Sequence, residues 1–379
     1  MKETRKSTKR LAIAFAVALV AVLAAGTVIL TGCGGSGGET AEEPQIVINP
    51  ITGIEMPDGL PARPVQVSIP NAPDGAVPQS NISYADIIYE IPVEGQLTRL
   101  QAIFYSQFPD KGGPCRSVRY YFIDLAREYR AFHVGYGWGK KAHGYMHDAG
   151  IPHINGMQDT DLFYRVDFKD APNDAYIDWS SIETWDGYND EKTLRAWKFR
   201  DDEWKAMKKE AKKVIEEKGD SDDPEDIDAV KEAESLLAEP EKATEIHVHS
   251  DVAAANTSAC SYDEENGVYT RTWFGEPYID RETGERMEFQ NILVQYVHSQ
   301  PMIDEETGLD DHKGRIEIDF NSHGDALLFT NGEVIKGTWS KKNPDARTIF
   351  KDENGRQFRF TQGKTWVYVI DQNMELTYE

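Results

Sequence analysis

The chain has 379 residues and a formal net charge of −24, from 65 acidic against 41 basic side chains. That balance argues against nucleic acid and against docking on anionic headgroups, because phosphate contacts need a surplus of Lys and Arg. Eleven per cent aromatic residues excludes a chain that is disordered throughout, and the length exceeds the usual size of one domain.

Lys2, Arg5, Lys6, Lys9 and Arg10 precede a largely apolar run from Leu11 to Leu30. At about 1.5 Å per residue the run could just span a bilayer, and the basic flank suits a membrane helix or a secretory leader alike. Small residues in the run, a Cys at its boundary and the Gly34-Gly35-Ser36-Gly37-Gly38 segment beyond it favour a cleaved leader and a flexible tether. Leu30-Thr31-Gly32-Cys33 resembles the lipobox of bacterial lipoproteins, in which the Cys sulfur receives a diacylglyceryl group and the preceding peptide is removed. The resemblance implies a signal peptide over 1–32, a lipid on Cys33 and a place on the outer face of the cytoplasmic membrane. Two or more acyl chains hold a protein stably, so the lipid would suffice as anchor. Loss of 1–32 removes five basic residues and Glu3, which leaves −28.

Residues 33–47 read as the tether. Val65, Val67 and Ile69 alternate as in a strand, and Ala85 to Tyr89 and Leu97 to Tyr105 read as two more, split by Glu94-Gly95. Val118, Tyr121, Phe122, Leu125 and Tyr129 follow the 3.6-residue period and predict a helix over 117–129. Ala131 to Gly135 reads as a strand and Lys140 to Ala149 as a short helix ended by Gly150. Interleaved strands and helices predict a mixed α/β N-terminal domain over 48–200. Residues 201–242 are densely charged and predict a pair of exposed helices, an insertion with a narrow apolar stripe of Trp204, Met207, Val214 and Ile215. From 243 to 379 short strands alternate with turns such as Asn331-Gly332 and Glu353-Asn354-Gly355, which predicts a mainly antiparallel β domain, a sandwich or partly closed barrel of about eight strands. The fold class is therefore α+β. Cys115 and Cys260 are 145 residues apart; a disulfide between them or two buried free thiols both fit, the second better.

The densest polar constellation lies in the first domain. Asp86, Glu90 and Glu94 sit on or just after one strand, and Thr98 and Arg99 follow on the next. Gly113-Pro114-Cys115-Arg116-Ser117-Val118-Arg119 opens the predicted helix, whose first turn would present backbone N–H groups, a hydroxyl and two guanidinium groups to an anion. Arg99, Arg116 and Arg119 converge if strand and helix are neighbours; a structural network with Asp86, Glu90, Glu94 and Asp124 is the alternative. His143 and His147, four apart, share a helix face. With Asp148 or Asp159 they sketch a zinc site, but the HExxH pattern is missing and no metal or cofactor is expected. Glu90 and Glu94 raise a glycosidase reading. No GxSxG elbow or GxxxxGK[ST] loop is present.

Arg63-Pro64-Val65-Gln66-Val67, Pro78-Gln79-Ser80, Ala85-Asp86-Ile87-Ile88-Tyr89-Glu90, Glu94-Gly95, Thr98-Arg99, Gly113-Pro114 with Arg116-Ser117-Val118-Arg119, Asn155-Gly156-Met157 and Gly363-Lys364-Thr365-Trp366 occur in an order that resembles the YerB-like bacterial lipoproteins. The resemblance covers about 48–200 and 243–375. It implies an extracytoplasmic, membrane-tethered, two-domain protein with no established reaction. Cys115 stands where the family usually has an aliphatic residue, and Asn173-Asp174 where His-Asn is expected, so no imidazole role is carried over there. Residues 203–240 have no clear counterpart, in keeping with an insertion.

These readings lead to a noncatalytic envelope lipoprotein that binds a cell-wall glycan, a peptide or an envelope protein. Asp86, Glu90, Glu94, Thr98, Arg99, Arg116, Ser117 and Arg119 are its candidate binding residues, with Tyr120, Tyr136 and Trp138 as platforms for sugar rings. The alternative is an enzyme acting on wall polymer with Glu90 or Glu94 as general acid, which needs a carboxyl whose pKa is raised by burial away from positive charge.

Overall fold

The computed structural model describes residues 46–73, 75–190, 192–250, 257–304 and 307–379; the expected signal peptide, Cys33 and the expected tether as far as residue 45 lie outside them, while Val47, the tether's expected end, opens a strand. The chain begins with a small hairpin of β1 (Val47–Ile48) and β2 (Glu55–Met56). β3 (Val65–Asn71), β4 (Ile87–Pro92), β5 (Thr98–Phe104), β6 (Phe132–Gly135) and β7 (His153–Asn155) form half of a large sheet. Helices α1 (Ile123–Glu128) and α2 (Lys140–Asp148) follow β5 and β6. Two charged helices come next, α3 (Asp202–Lys218) and α4 (Pro224–Leu237), started by the side chains of Asp201 and Asp223. Only Ala211 and Ala233 of this pair are fully buried, as expected of an exposed insertion.

The main strands of the second half are β8 (Glu241–Lys242), β9 (Glu245–Ser250), β10 (Ser258–Asp263), β11 (Val268–Trp273), β12 (Asn291–Tyr296), β13 (His323–Thr330), β14 (Glu333–Ser340), β15 (Ile349–Asp352), β16 (Thr365–Ile370) and β17 (Met374–Tyr378); other short strands form small separate sheets or edges. They do not close on themselves as a barrel. Instead they divide. β11-β10-β9-β17, with two short edge strands, make an antiparallel six-stranded sheet. The others join the first half of the chain in one eleven-stranded sheet of order β8-β14-β13-β12-β16-β4-β5-β3-β6-β7, with β15 on β14. The junction is parallel: Thr365 to Tyr368 of β16 pair with Ile87 to Glu90 of β4. β16 and β4 are buried on both faces, which is why they read as near-continuous apolar runs.

Two cores flank the large sheet. One holds Val65, Val67, Ile69, Leu100 and Ala102 together with Ile246, Cys260, Tyr269 and Trp273 of the smaller sheet. The other holds Ile87, Tyr89 and Ile103 together with Tyr121, Phe122, Leu125 and Met146 of the helical side. β3 alternates as its sequence says, but its polar members do not meet water. Gln66 and Ser68 are fully buried under the helical side, where Gln66 Nε2 donates to Gln101 Oε1 (2.8 Å) and to the Phe122 carbonyl (3.0 Å).

The predicted helix over 117–129 is shorter than expected. A 3-10 turn at Tyr120–Phe122 leads into α1, and Arg119 is still extended. The cause is nonlocal hydrogen bonding: Cys115 N donates to Ala175 O (2.7 Å), Arg116 N to Ser68 O (2.8 Å) and Val118 N to Gly137 O (2.9 Å). Those amides are spent on neighbouring segments, so the helix-start anion site drawn from the sequence is replaced by a side-chain site. Cys115 and Cys260 are both buried and free, and burial pushes the Cys115 thiol up to about 12 and that of Cys260 to about 11.

Candidate functional site

Three sequence blocks far apart in the chain meet around the extended segment Arg116–Arg119. Ser117 Oγ donates to Tyr136 O (3.1 Å) in the loop after β6. Gly137 in that loop has φ +88, and a Cβ there would come within 3.3 Å of Ser117 Oγ and 3.0 Å of Met157 Sδ. The buried Asn155 holds the loop, its Oδ1 accepting from Gly137 N (2.7 Å) and Met157 N (3.2 Å). Gly156 packs so closely on the Tyr136 ring that a Cβ would lie 2.3 Å from it. The Gly-rich loop and the Asn155-Gly156-Met157 block are therefore walls for the arginine segment.

Arg99, on β5, donates from Nη1 to the Ser117 carbonyl (2.6 Å). Arg119 is paired in a fork with Glu94, from the turn between β4 and β5, through Nε to Oε2 (2.9 Å) and Nη2 to Oε1. The pair is only partly buried, with 15% of the Arg119 side chain and 27% of that of Glu94 exposed. Burial alone would push the Glu94 carboxyl up, but the hydrogen bond and charge of Arg119, with Arg99 behind, hold it below the usual range. Arg99 is lowered too, which drives it toward its neutral form. Burial, then the like charges of Arg119 and Arg116, outweigh Glu94 and hold it down to about 9. Glu94 is thus the near carboxylate for a set of arginines. Arg315 adds a fourth charge that Glu94 feels, and is itself clamped by Asp311 (Nε–Oδ2 3.0 Å).

The other predicted site residues lie elsewhere. Thr98 and Arg99 are consecutive on β5 and face opposite sides of the sheet. Thr98 and Glu90 point toward the smaller sheet, where Glu90 Oε2 receives Arg271 Nη2 (2.9 Å) and Oε1 receives Asn71 Nδ2 and Thr98 Oγ1 (both 2.9 Å). Arg271 in turn is caged by Trp273, Tyr278 and Trp366, 4.3–4.9 Å from the ring centroids. Asp86 is buried and closes a turn, accepting from Tyr105 N (2.6 Å), Ser106 N (2.7 Å) and Ser106 Oγ (2.6 Å), while burial raises its pKa against those bonds. So Glu94, Arg99, Arg116, Ser117 and Arg119 come together, and Asp86, Glu90 and Thr98 serve the interior. Neither glutamate has the setting of a general acid: Glu90 is sealed at 2% exposure and the Glu94 pKa is lowered.

Tyr120 lines a cavity of about 340 Å³ with His298, Gln300, Glu317, Asp319 and Trp339, and Lys141 Nζ lies 4.1 Å over its ring. Trp138 stacks on His143 at 5.1 Å and meets His153 edge-on at 5.2 Å. His147 is exposed beside Asp148, so His143 and His147 do not gather a metal set; among the described residues the one such group is Asp304, Asp311 and His312, where Arg315 already spans Asp311. Sequence reasoning missed Arg271, which meets Glu90 only through the tertiary fold, and Arg315, whose local partner Asp311 gives no hint that the pair lies near Glu94.

With this geometry in view, comparison with known proteins places the chain. Residues 51–193 match the N-terminal domain, and residues 246–367 the C-terminal domain, of a protein family of unknown function, DUF3048. The putative lipoprotein YerB of Bacillus subtilis (strain 168) is 30% identical over 330 residues, 85% of either chain. The crystal structure of the YerB protein from Bacillus subtilis superposes with a TM-score of 0.68 at 27% identity, covering 87% of this chain and 99% of that one. No helix among the described residues is long and apolar enough to cross a membrane. In sequence and fold alike, the chain belongs to the DUF3048 family of YerB-like proteins.

Proposed function

We propose that this protein is a noncatalytic accessory lipoprotein of the cell envelope, anchored through Cys33 on the outer face of the cytoplasmic membrane. It binds a carboxylate- or phosphate-bearing group of a wall polymer or envelope partner at Arg99, Arg116, Ser117 and Arg119. One observation carries the reading: Arg119 and Arg99 lie against one partly exposed carboxylate, Glu94, and burial, then the like charges of Arg119 and Arg116, lowers the pKa of Arg99 to about 9. In a chain this acidic, a local concentration of arginines at a partly open surface is a natural place for an anion. Arginine forks suit planar oxyanions, and Tyr120 with its cavity lies next in sequence to Arg119. A similar protein described as a lipoprotein supports the anchored placement.

The test is capture of purified peptidoglycan fragments and of an anionic wall polymer by the soluble mature chain. Arg116→Ala is expected to keep the circular dichroism spectrum and to weaken capture by about ten- to a hundredfold, the loss of roughly 1.5–3 kcal/mol from one charged hydrogen bond. Unchanged capture by the variant removes the site. Release of soluble product from the polymer would favour the enzyme reading instead.

A further inference from the structure

The hairpin at the start of the described chain exposes an apolar surface that its fold does not use. Ile46, Val47, Ile48 and Ile54 are 61, 39, 50 and 43% exposed. The other large exposed apolar residues among those described, such as Met157, Phe168, Ile227 and Leu309, are spread over the rest of the sequence, as on any soluble surface. Four within nine residues is a cluster.

The exposure does not come from a loose segment. The tip of the hairpin is rooted in the core: Ile51 and Thr52 are buried, Gly53 packs on the Phe199 ring, and Gln362 Nε2 donates to Gly53 O (2.8 Å). Asn49 is fully buried, accepts from Ile51 N (2.9 Å) and donates to Ser106 Oγ (2.9 Å). Asn49 N donates to Ile54 O (2.8 Å), which closes the turn. The fold thus holds the turn of the hairpin while Ile46, Val47, Ile48 and Ile54 around it stay exposed.

The occupant follows from where this hairpin stands in the chain. Ile46 is thirteen residues after Cys33. At about 3.3–3.6 Å per residue the intervening chain reaches at most about 45 Å, whatever its conformation. We infer that the hairpin Ile46–Ile54 is a second membrane contact, its exposed isoleucines resting in the interfacial region of the bilayer that holds the lipid. The inference rests on the reading of Cys33 as lipidated. Tethering makes the contact intramolecular, so a small apolar area that would not bind a membrane alone is enough. Glu55 and Asp58, both exposed, flank the patch and keep the contact superficial. The contact fixes which side of the folded unit faces the membrane, which a lipid on a tether cannot do.

The test uses the full lipidated chain with Ile48→Cys, labelled with a polarity-sensitive fluorophore. Cys115 and Cys260 are buried and Cys33 is blocked by lipid, so the label is selective. In phosphatidylcholine vesicles the label is expected to shift to the blue and to lose quenching by aqueous iodide. The same label at Ile227→Cys is expected to do neither, and Ile46→Ser with Ile54→Ser is expected to abolish the shift at position 48. A protein that floats with the vesicles while position 48 keeps its aqueous spectrum overturns the hairpin contact and leaves the anchor standing. A protein that fails to float overturns the anchor reading, and the inference with it. A blue shift produced by a second unlabelled copy without vesicles assigns the patch to self-association and also overturns it.

Discussion

Arg271→Met tests how the two halves of the chain are held together. Arg271 and Glu90 are both buried, with 0 and 2% of their side chains exposed, and are 181 residues apart. Removal of the guanidinium leaves Glu90 Oε2 without its donor in a region water does not reach, while Oε1 keeps Asn71 and Thr98. It also takes a cation from a cage of three rings and a donor from Tyr368 OH (Nε–Oη 3.1 Å). Breaking one side of a buried pair costs about 3–5 kcal/mol, whereas removing both charges costs much less. Urea denaturation of the soluble mature chain should therefore show Arg271→Met losing about 3–5 kcal/mol. Glu90→Gln combined with Arg271→Met should recover at least about 2 kcal/mol of the summed single losses. A loss under about 1 kcal/mol, or strict additivity, would refute the argument that this pair is a structural clamp, and would reopen a role for Glu90 in binding.

Two further outcomes follow from the same physics. His133 is wholly buried, neither ring nitrogen has a hydrogen-bond partner, and burial holds its pKa down to about 3. The unfolded imidazole takes a proton below about pH 6.5 while the folded one does not, so stability drains away as pH falls from there toward about 3. At pH 5 the loss is about 2 kcal/mol, and His133→Leu should flatten that part of a thermal-stability profile relative to the parent; parallel profiles would contradict it. The helical pair should be removable, because the chain leaves and rejoins the sheet beside one residue: Arg200 Nη2 lies 3.5 Å from Glu333 Oε2, and Lys242 pairs with Glu333 in the ladder. Replacement of residues 202–239 by a short Gly/Ser linker should lower the thermal midpoint by only a few degrees, the loss of contacts such as Arg359 with Glu203 and Trp204. Failure of that variant to fold would show the pair to be part of the folding unit.

Much of the fold was legible because its signals are local. Alternation at Val65, Val67 and Ile69 marks a strand, and Asn331-Gly332, with φ +55 and +68, makes the tight turn between β13 and β14. The pattern at Val118, Tyr121, Phe122, Leu125 and Tyr129 correctly marks buried residues but overstates the helix, since the amides before Tyr120 bond to other segments. Which sheet a C-terminal strand joins is not local either: β16 reads the same whether it closes a barrel or, as here, pairs with β4. Strand parity, by contrast, was available in advance. Thr98 and Arg99 are neighbours on one strand and cannot share a face, so one of them had to leave the site.

The two arginine–glutamate pairs show how the same residue types come to do different work. Around Glu90 the charges match one to one, both carboxylate oxygens are satisfied and 2% exposure leaves no path for a ligand. Such a pair specifies how two sheets face each other. Around Glu94 the surface is partly open. Arg119 takes both carboxylate oxygens, Arg99 lies behind the pair, and Arg315, held by Asp311, is near enough to feel Glu94. Burial, then the like charges of Arg119 and Arg116, lowers the pKa of Arg99, and a second anion nearby would raise it again. Bound anion and arginine protonation are therefore linked: an anion that fits should stabilise the folded chain more strongly than the ionic strength alone, and the excess should vanish with Arg116.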